Sequence, residues 1–192
     1  MKGVCSRHAD VLRPGGLGLT DLGLGYCALP AGARLLDVGC GTGAAVRHMR
    51  ERHGYDAIGI DLKAAGEYCI TGNAECLPHA DASFDCLLCE CVLSILADAQ
   101  QALREMHRVL RHGGYAILSD LYDKSRPDQL AGLLRRCGFA VQVFEDHSQT
   151  LRQFAAAAAL RGECCAAALP LHIKPAHAGY CLIIAGKEPV HG

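Results

Sequence analysis

Leu35-Leu36-Asp37-Val38-Gly39-Cys40-Gly41-Thr42-Gly43 is the stretch that decides the fold. Apolar residues of strand character run into three glycines that alternate across a tight turn, and Ala44-Ala45-Val46-Arg47-His48-Met49 opens a helix. Glycine is needed where the backbone turns sharply and must approach a ligand with no Cβ in the way. Strand-loop-helix units of this kind belong to open α/β sheets, in which ligands bind outside the carboxyl ends of the strands. The loop therefore predicts a nucleotide-like ligand.

The glycines alone leave two readings open. Gly39-x-Gly41-x-x-Ala44 fits the dinucleotide fingerprint of nicotinamide and flavin enzymes. Asp37, just ahead of the first glycine, favours another ligand, because a carboxylate in an apolar strand is costly unless a cation or donors meet it. S-adenosylmethionine carries an ammonium group that suits such an acid. Ala57-Ile58-Gly59-Ile60-Asp61 reads as a second strand ending in an acid that can accept from both hydroxyls of a ribose, which either ligand possesses. Ile70-Thr71-Gly72-Asn73-Ala74-Glu75-Cys76-Leu77-Pro78 and then Asp81-Ala82-Ser83-Phe84-Asp85 lead into a further strand.

Taken together these segments resemble the class I S-adenosylmethionine-dependent methyltransferases. The glycine stretch resembles their first motif, and residues 73–78 are similar to the Asp-Ala-x-x-Leu-Pro run that faces the adenine ring. Asn73 stands where that run has Asp, and an amide still accepts through its carbonyl oxygen. Asp81 to Asp85 is similar to the family's D-x-S-F-D run. Arg108-Val109-Leu110-Arg111-His112-Gly113-Gly114 resembles its R-V-L-x-P-G-G turn, with His112 at the proline position. The resemblance extends from about residue 31 to 120. It is nearest the small-molecule enzymes of the ubiquinone-biosynthesis type, with a narrower likeness to a bacterial TrsM-type subgroup. It implies an α/β, Rossmann-like, doubly wound fold: a mostly parallel seven-stranded sheet whose last strand is antiparallel. It also implies S-adenosyl-L-methionine held by Asp37, Gly39, Cys40, Gly41, Thr42, Gly43, Asp61, Leu62, Asn73, Ala74, Glu75 and Cys89.

Outside those motifs, the 192 residues suffice for a single domain with a sizeable core. Residues 1–30 read as an N-terminal helical cap with apolar Leu22, Leu24 and Leu29, and residues 31–126 as the cofactor-binding half. Residues 127–192 form a C-terminal half with an Ala-rich helical insertion over 148–170, suited to packing on the domain or on the partner of a homodimer. Asp98 with Gln101 reads as a capping box for a helix to Leu110, striped by Leu103, Met106 and Leu110. Strands are expected at 115–120, 139–144 and 180–185, with a helix over about 127–137 ended by Gly138. A net charge of −1 gives no footprint for nucleic acid. No apolar stretch of membrane-spanning length and no signal peptide is visible, so a cytoplasmic protein acting on a small molecule is expected.

Methyl transfer from a sulfonium is an in-line displacement, so alignment carries much of the catalysis, and a base matters only for a protonated nucleophile. Candidate catalytic residues near the carboxyl ends of the strands are Glu90, Asp120 and His147, with Cys89 and Tyr122 nearby. A non-catalytic accessory protein that binds S-adenosylmethionine and a dinucleotide-dependent oxidoreductase are the alternatives. The twelve cysteines read as reduced thiols. Strand alternation puts Cys86 and Cys89 on opposite faces, and Cys89 and Cys91 together at the ligand-facing end. That pairing, with Cys40 and Cys76, raises arsenite as a thiophilic substrate. The ten histidines show no metal-ligand spacing, and no metal is expected.

Overall fold

The sheet assembles around β1 (Arg34–Val38), whose Leu35, Leu36 and Val38 are wholly excluded from solvent. A computed structural model describes residues 13–161 and 173–187 of the chain. The other strands are β2 (Asp56–Asp61), β3 (Cys69–Thr71), β4 (Phe84–Glu90), β5 (Leu110–Asp123), β6 (Phe139–Asp146) and β7 (Ala178–Lys187). Their order is β3-β2-β1-β4-β5-β7-β6, with β1 to β5 parallel and β7 running antiparallel between β5 and β6. This is the doubly wound, mostly parallel sheet expected from the sequence. Parallel strands covered on both faces must be apolar throughout, and Cys86-Leu87-Leu88-Cys89 meets that demand with no exposure at all.

Alternation along the strands divides the core in two. Leu36, Val38, Leu87 and Cys89 point to the face covered by α3 (Ala99–Val109) and α4 (Asp128–Arg136), where they meet Leu103, Met106 and Leu134. Leu35, Cys86, Leu88 and Ile117 point to the face covered by α1 (Gly16–Tyr26) and α2 (Ala44–His53), with Leu19, Leu24, Val46 and Met49. Leu151 of α5 (Ser148–Leu160) packs on this second layer too. By the same alternation Asp37 and Glu90, at neighbouring strand ends, face the α1–α2 side.

Several expectations change in detail. Asp98 caps α3 by accepting from the Gln101 amide at 2.9 Å, but the reciprocal half of the box is missing. The Asp98 amide donates to the Glu75 carboxylate at 3.0 Å and the Gln101 side chain donates to the Glu75 carbonyl at 3.3 Å, so Glu75 ties its loop to α3. β5 begins at Leu110, not Tyr115, because the Arg108–Gly114 turn is drawn into the ladder across a register shift opposite Phe84 and Cys86. Arg108 secures that junction, donating to the carbonyls of Leu77 and His79 and pairing with Asp81 and Glu105. Of the Ala-rich insertion, the described part is α5, and residues 162–170 lie outside the described residues. No helix among the described residues is long and apolar enough to cross a membrane.

The apolar stripe expected on the first helix is also corrected. Leu22 is exposed, and the buried face of α1 is Leu19, Thr20, Gly23 and Leu24. Gly23 explains the rotation: a Cβ there would lie 2.5 Å from Ile117 Cγ2, so the helix backbone itself touches the sheet. Gly25 on the same helix has no atom within 4 Å of a Cβ position. Gly23→Ala should therefore lower stability by about 1–3 kcal/mol through overpacking, despite the better helix propensity of alanine. Gly25→Ala should raise it by about 0.5–1 kcal/mol. Urea unfolding of both variants checks the contrast, and equal effects would mean that α1 does not lie on the sheet at Gly23.

Candidate functional site

Above the carboxyl ends of β1 and β4, a cleft of about 310 Å³ is lined by Arg13, Asp37, Gly39, Cys40, Thr42 and Glu90, among others. The glycine loop forms one wall. Gly39, Gly41 and Gly43 all have left-handed φ values of 83°, 51° and 73°. At Gly39 a Cβ would sit 2.1 Å from Val92 Cγ2, so the loop presses directly on the segment that follows β4. Its amide and that of Cys40 both donate to the Ile60 carbonyl, at 2.7 and 3.1 Å, locking the turn to β2. α2 starts at Ala44 with no side-chain cap, which leaves its first-turn amides available to a ligand.

Two carboxylates share this cleft and are treated unequally. Glu90, at the end of β4 and 8% exposed, forms an ion pair with Arg13. It also accepts from Thr20 Oγ1 at 3.1 Å and from Ser119 Oγ at 3.3 Å. Burial raises its pKa, and Arg13 with the two hydroxyls works against that rise. Asp37, 4% exposed, receives no hydrogen bond from any described residue. Desolvation, with Glu90 adding repulsion against the opposing pull of Arg13, lifts it to about 7. Arg13 in turn keeps a buried Nε donor without a partner.

S-adenosylmethionine, which the sequence resemblance implies, fits these residues. An unpaired buried acid beside the glycine turn suits its ammonium group, and the unpartnered Arg13 Nε suits a carboxylate at the same end of the molecule. Asp61, half-buried at the end of β2, already accepts from the Lys63 amide at 2.8 Å and the Gly41 amide at 3.0 Å. Both its oxygens retain capacity for ribose hydroxyls.

Other expected residues occupy more varied positions. Leu62 is 67% exposed and Ala74 is buried. Asn73 closes an Asx turn, its Oδ1 accepting from the Glu75 amide at 2.9 Å, and the side chain is exposed. Cys89 leaves the set: its thiol is fully buried on the opposite face among Leu36, Val38 and Leu103. Cys91 does not share that face, because its φ of 59° breaks the strand and swings the thiol to the α1–α2 side, 3.1 Å from the Tyr180 hydroxyl. The thiols that reach the cleft are therefore Cys40 and Cys91. Burial pushes Cys91 up to about 12, so it stays protonated at neutral pH.

The three candidate catalytic residues separate as well. Glu90 alone lines the cleft. Asp120 accepts from the Ser94 and Leu121 amides at 3.1 and 2.6 Å and borders a second cavity of about 220 Å³ with Leu93, Tyr122, Arg126 and Ile173. His147 precedes α5, contacts Glu145 at 2.9 Å and does not line the cleft. Arg13, Thr20, Ser119 and Tyr180 are the residues that sequence reading missed. One signal existed: a buried acid at Glu90 requires a cation, and Arg13 sits in the segment just ahead of α1.

Comparison with known proteins agrees with this fold. Residues 36–118 match the family described as "Methyltransferase domain". The chain is 32% identical over 106 residues to a malonyl-[acyl-carrier protein] O-methyltransferase of Pseudescherichia vulneris, an alignment covering 50% of this chain and 42% of that protein. It is 31% identical over 156 residues to O-methyltransferase rstn1 of Aspergillus nomiae, covering 62% and 69% respectively. The chain spans about half the length of the curated relatives it matches. In fold it is similar to a Haemonchus contortus phosphoethanolamine N-methyltransferase 2 solved with S-adenosyl-L-methionine, with a TM-score of 0.74, 14% identity, and coverage of 94% of this chain and 54% of that one.

Asp37 makes the site pH-sensitive. Its folded-state pKa of about 7 lies above the ordinary carboxylate value, so its ionisation destabilises the folded chain as pH rises from about 4 through 7, then levels off. Asp37→Asn should be more stable than the unchanged chain near pH 8, by about 4 kcal/mol, with the gap closing towards pH 4. Urea unfolding across that range reads the difference, and a gap independent of pH would mean that Asp37 ionises normally.

Proposed function

Because the chain belongs to the methyltransferase-domain family, we propose that it transfers a methyl group from S-adenosylmethionine to an oxygen atom of a small organic molecule. The observation that carries the cofactor assignment is the buried Asp37 beside the Gly39 turn, which has no hydrogen-bond partner among the described residues. Bound in the cleft, the cofactor supplies an activated methyl group. Asp37 and Arg13 hold its amino-acid end, and Asp61 takes the ribose hydroxyls. Asn73 and Ala74 lie towards the adenine. Glu90, held by Arg13, Thr20 and Ser119, keeps the floor of the cleft rigid and polar.

Oxygen as the acceptor is supported by the O-methyltransferase relatives from bacteria and fungi. The second cavity, beside the end of β5, supports the reading as room for an acceptor, with Arg126, Asp120 and Asp123 as the charged groups of its lining. Since methyl transfer is dominated by alignment, the absence of His147 from the cleft is no obstacle.

Calorimetric titration tests the reading. S-adenosylhomocysteine should bind and NAD should not; tight NAD binding with no response to S-adenosylhomocysteine would overturn it. Asp61→Ala should weaken binding by about 2–3 kcal/mol, the scale of lost charge-assisted hydrogen bonds, or roughly 30- to 150-fold. Asp61→Asn should recover part of that loss, since it keeps one acceptor for the Gly41 amide. Unchanged affinity in a folded Asp61→Ala protein would remove Asp61 from the site.

A further inference from the structure

Away from the cleft, three metal-ligating side chains from two helices converge on one point. Asp21 of α1 points outward, and its Oδ1 lies 2.6 Å from His48 Nε2 and 2.7 Å from His53 Nε2, both of α2. The three ligand atoms all fall within 4.8 Å of one another, and this is the group among the described residues that could hold a metal ion. The rings are not free to drift: His48 and His53 meet edge to face at 5.4 Å, and His53 stacks on Tyr55 at 5.7 Å with planes 3° apart. His48 is the better shielded imidazole, with 15% of its side chain exposed, against 27% for His53 and 44% for Asp21.

We infer that Asp21, His48 and His53 form a divalent transition-metal site that joins α1 to the helix following the glycine loop. Two imidazoles and one carboxylate are the ligand set of borderline ions such as zinc, cobalt and nickel. Metal–nitrogen and metal–oxygen bonds near 2.1 Å put tetrahedral ligand atoms about 3.4 Å apart. The trio therefore has to open by about 0.7 Å, which a small rotation of the Asp21 carboxylate, the most exposed of the three, helps to provide. The Nε2 proton of each neutral imidazole moves to Nδ1 when that nitrogen takes up metal. The surface depression beside the trio is lined by Asp21, His48, Glu51 and Arg52 with Gly16–Gly18, so a fourth position is open to Glu51 or to solvent. The last-turn carbonyls of α2 favour a cation there, whereas Arg52 opposes it. None of these residues lines the cofactor cleft, so the site is separate from the proposed methyl-transfer chemistry.

Cobalt(II) is the probe to use, because its absorption distinguishes thiolate from imidazole ligation in a chain with twelve cysteines. The full chain, reduced and stripped of metal, is titrated with cobalt chloride and followed by absorbance, calorimetry and thermal unfolding. One equivalent is expected to bind without a thiolate charge-transfer band and to raise Tm. His48→Gln and His53→Gln should each weaken binding at least tenfold and abolish the rise in Tm, while leaving the metal-free Tm unchanged and the affinity for S-adenosylhomocysteine within twofold. Asp21→Asn, which keeps an acceptor for both rings, should weaken cobalt binding too and guards against a folding defect. The inference is overturned if the unchanged chain takes up no cobalt, if uptake carries the thiolate band, or if all three variants bind as tightly as the parent. Because the readout is metal uptake, it stands or falls independently of cofactor binding.

Discussion

One cation shared between two buried carboxylates is the constraint on which the rest of the site depends. Asp37 and Glu90 end neighbouring parallel strands and face the same side of the sheet, and both lie out of solvent. Arg13 commits to Glu90, where two hydroxyls add to its hold, and Asp37 is left without a hydrogen bond among the described residues. A buried acid in that position either stays protonated or finds a positive partner. Cationic ligands are therefore favoured by the same arrangement that stabilises Glu90, and a neutral or anionic ligand gains nothing from it. The glycine loop adds the geometric half of the selection: with Gly39 pressed on Val92, no side chain stands between the ligand and the backbone.

Helix α1 makes that constraint a property of the fold. Within a few residues it faces three directions. Thr20 turns inward to Glu90, Asp21 turns outward to the two histidines of α2, and Gly23 rests on Ile117. The ion pair that depends on Arg13 is thus secured by contacts to the sheet, to α2 and to β4. A helix with so modest an apolar face would be marginal alone, since most helical stability in proteins comes from packing. Loosening α1 would free Arg13 from Glu90 and leave two unpaired acids in the cleft.

The cofactor half was legible in the sequence because its requirements are local. Positive φ at Gly39, Gly41 and Gly43, an acid closing β2, and the Asp98 cap of α3 each show within a few residues of chain. The mostly parallel seven-stranded sheet with an antiparallel last strand was expected from the family resemblance that those segments carry, and the structure has it. What stayed hidden depends on contacts between distant segments. The Arg13–Glu90 pair joins residues far apart in the chain, and the Asp21–His48–His53 group spans two helices at a spacing that has no periodic signature. Cys91 was misplaced because alternation presumes a strand, and a single residue at φ 59° ends it. The rotation of α1 could not be read from its leucines, because the contact that sets it belongs to a glycine.

The thiols bear on the acceptor. Cys86, Cys89 and Cys181 lie wholly inside the sheet and fill space as small hydrophobes; burial raises the pKa of Cys89 and Cys181, and a hydrogen bond with Cys27, then burial, raises that of Cys86. Cys91 differs, being the start of a directed chain of hydrogen bonds. Tyr180 spends its one hydroxyl proton on Ser119 at 3.1 Å, and Ser119 donates to Glu90, so Cys91 must donate to Tyr180. A soft metalloid needs thiolates, and ionising Cys91 would put a third negative charge beside Asp37 and Glu90 while breaking the chain at its first link. Cys91 kept as a thiol leaves all three hydrogen bonds in place, so the cleft offers arsenite no ready thiolate from that residue.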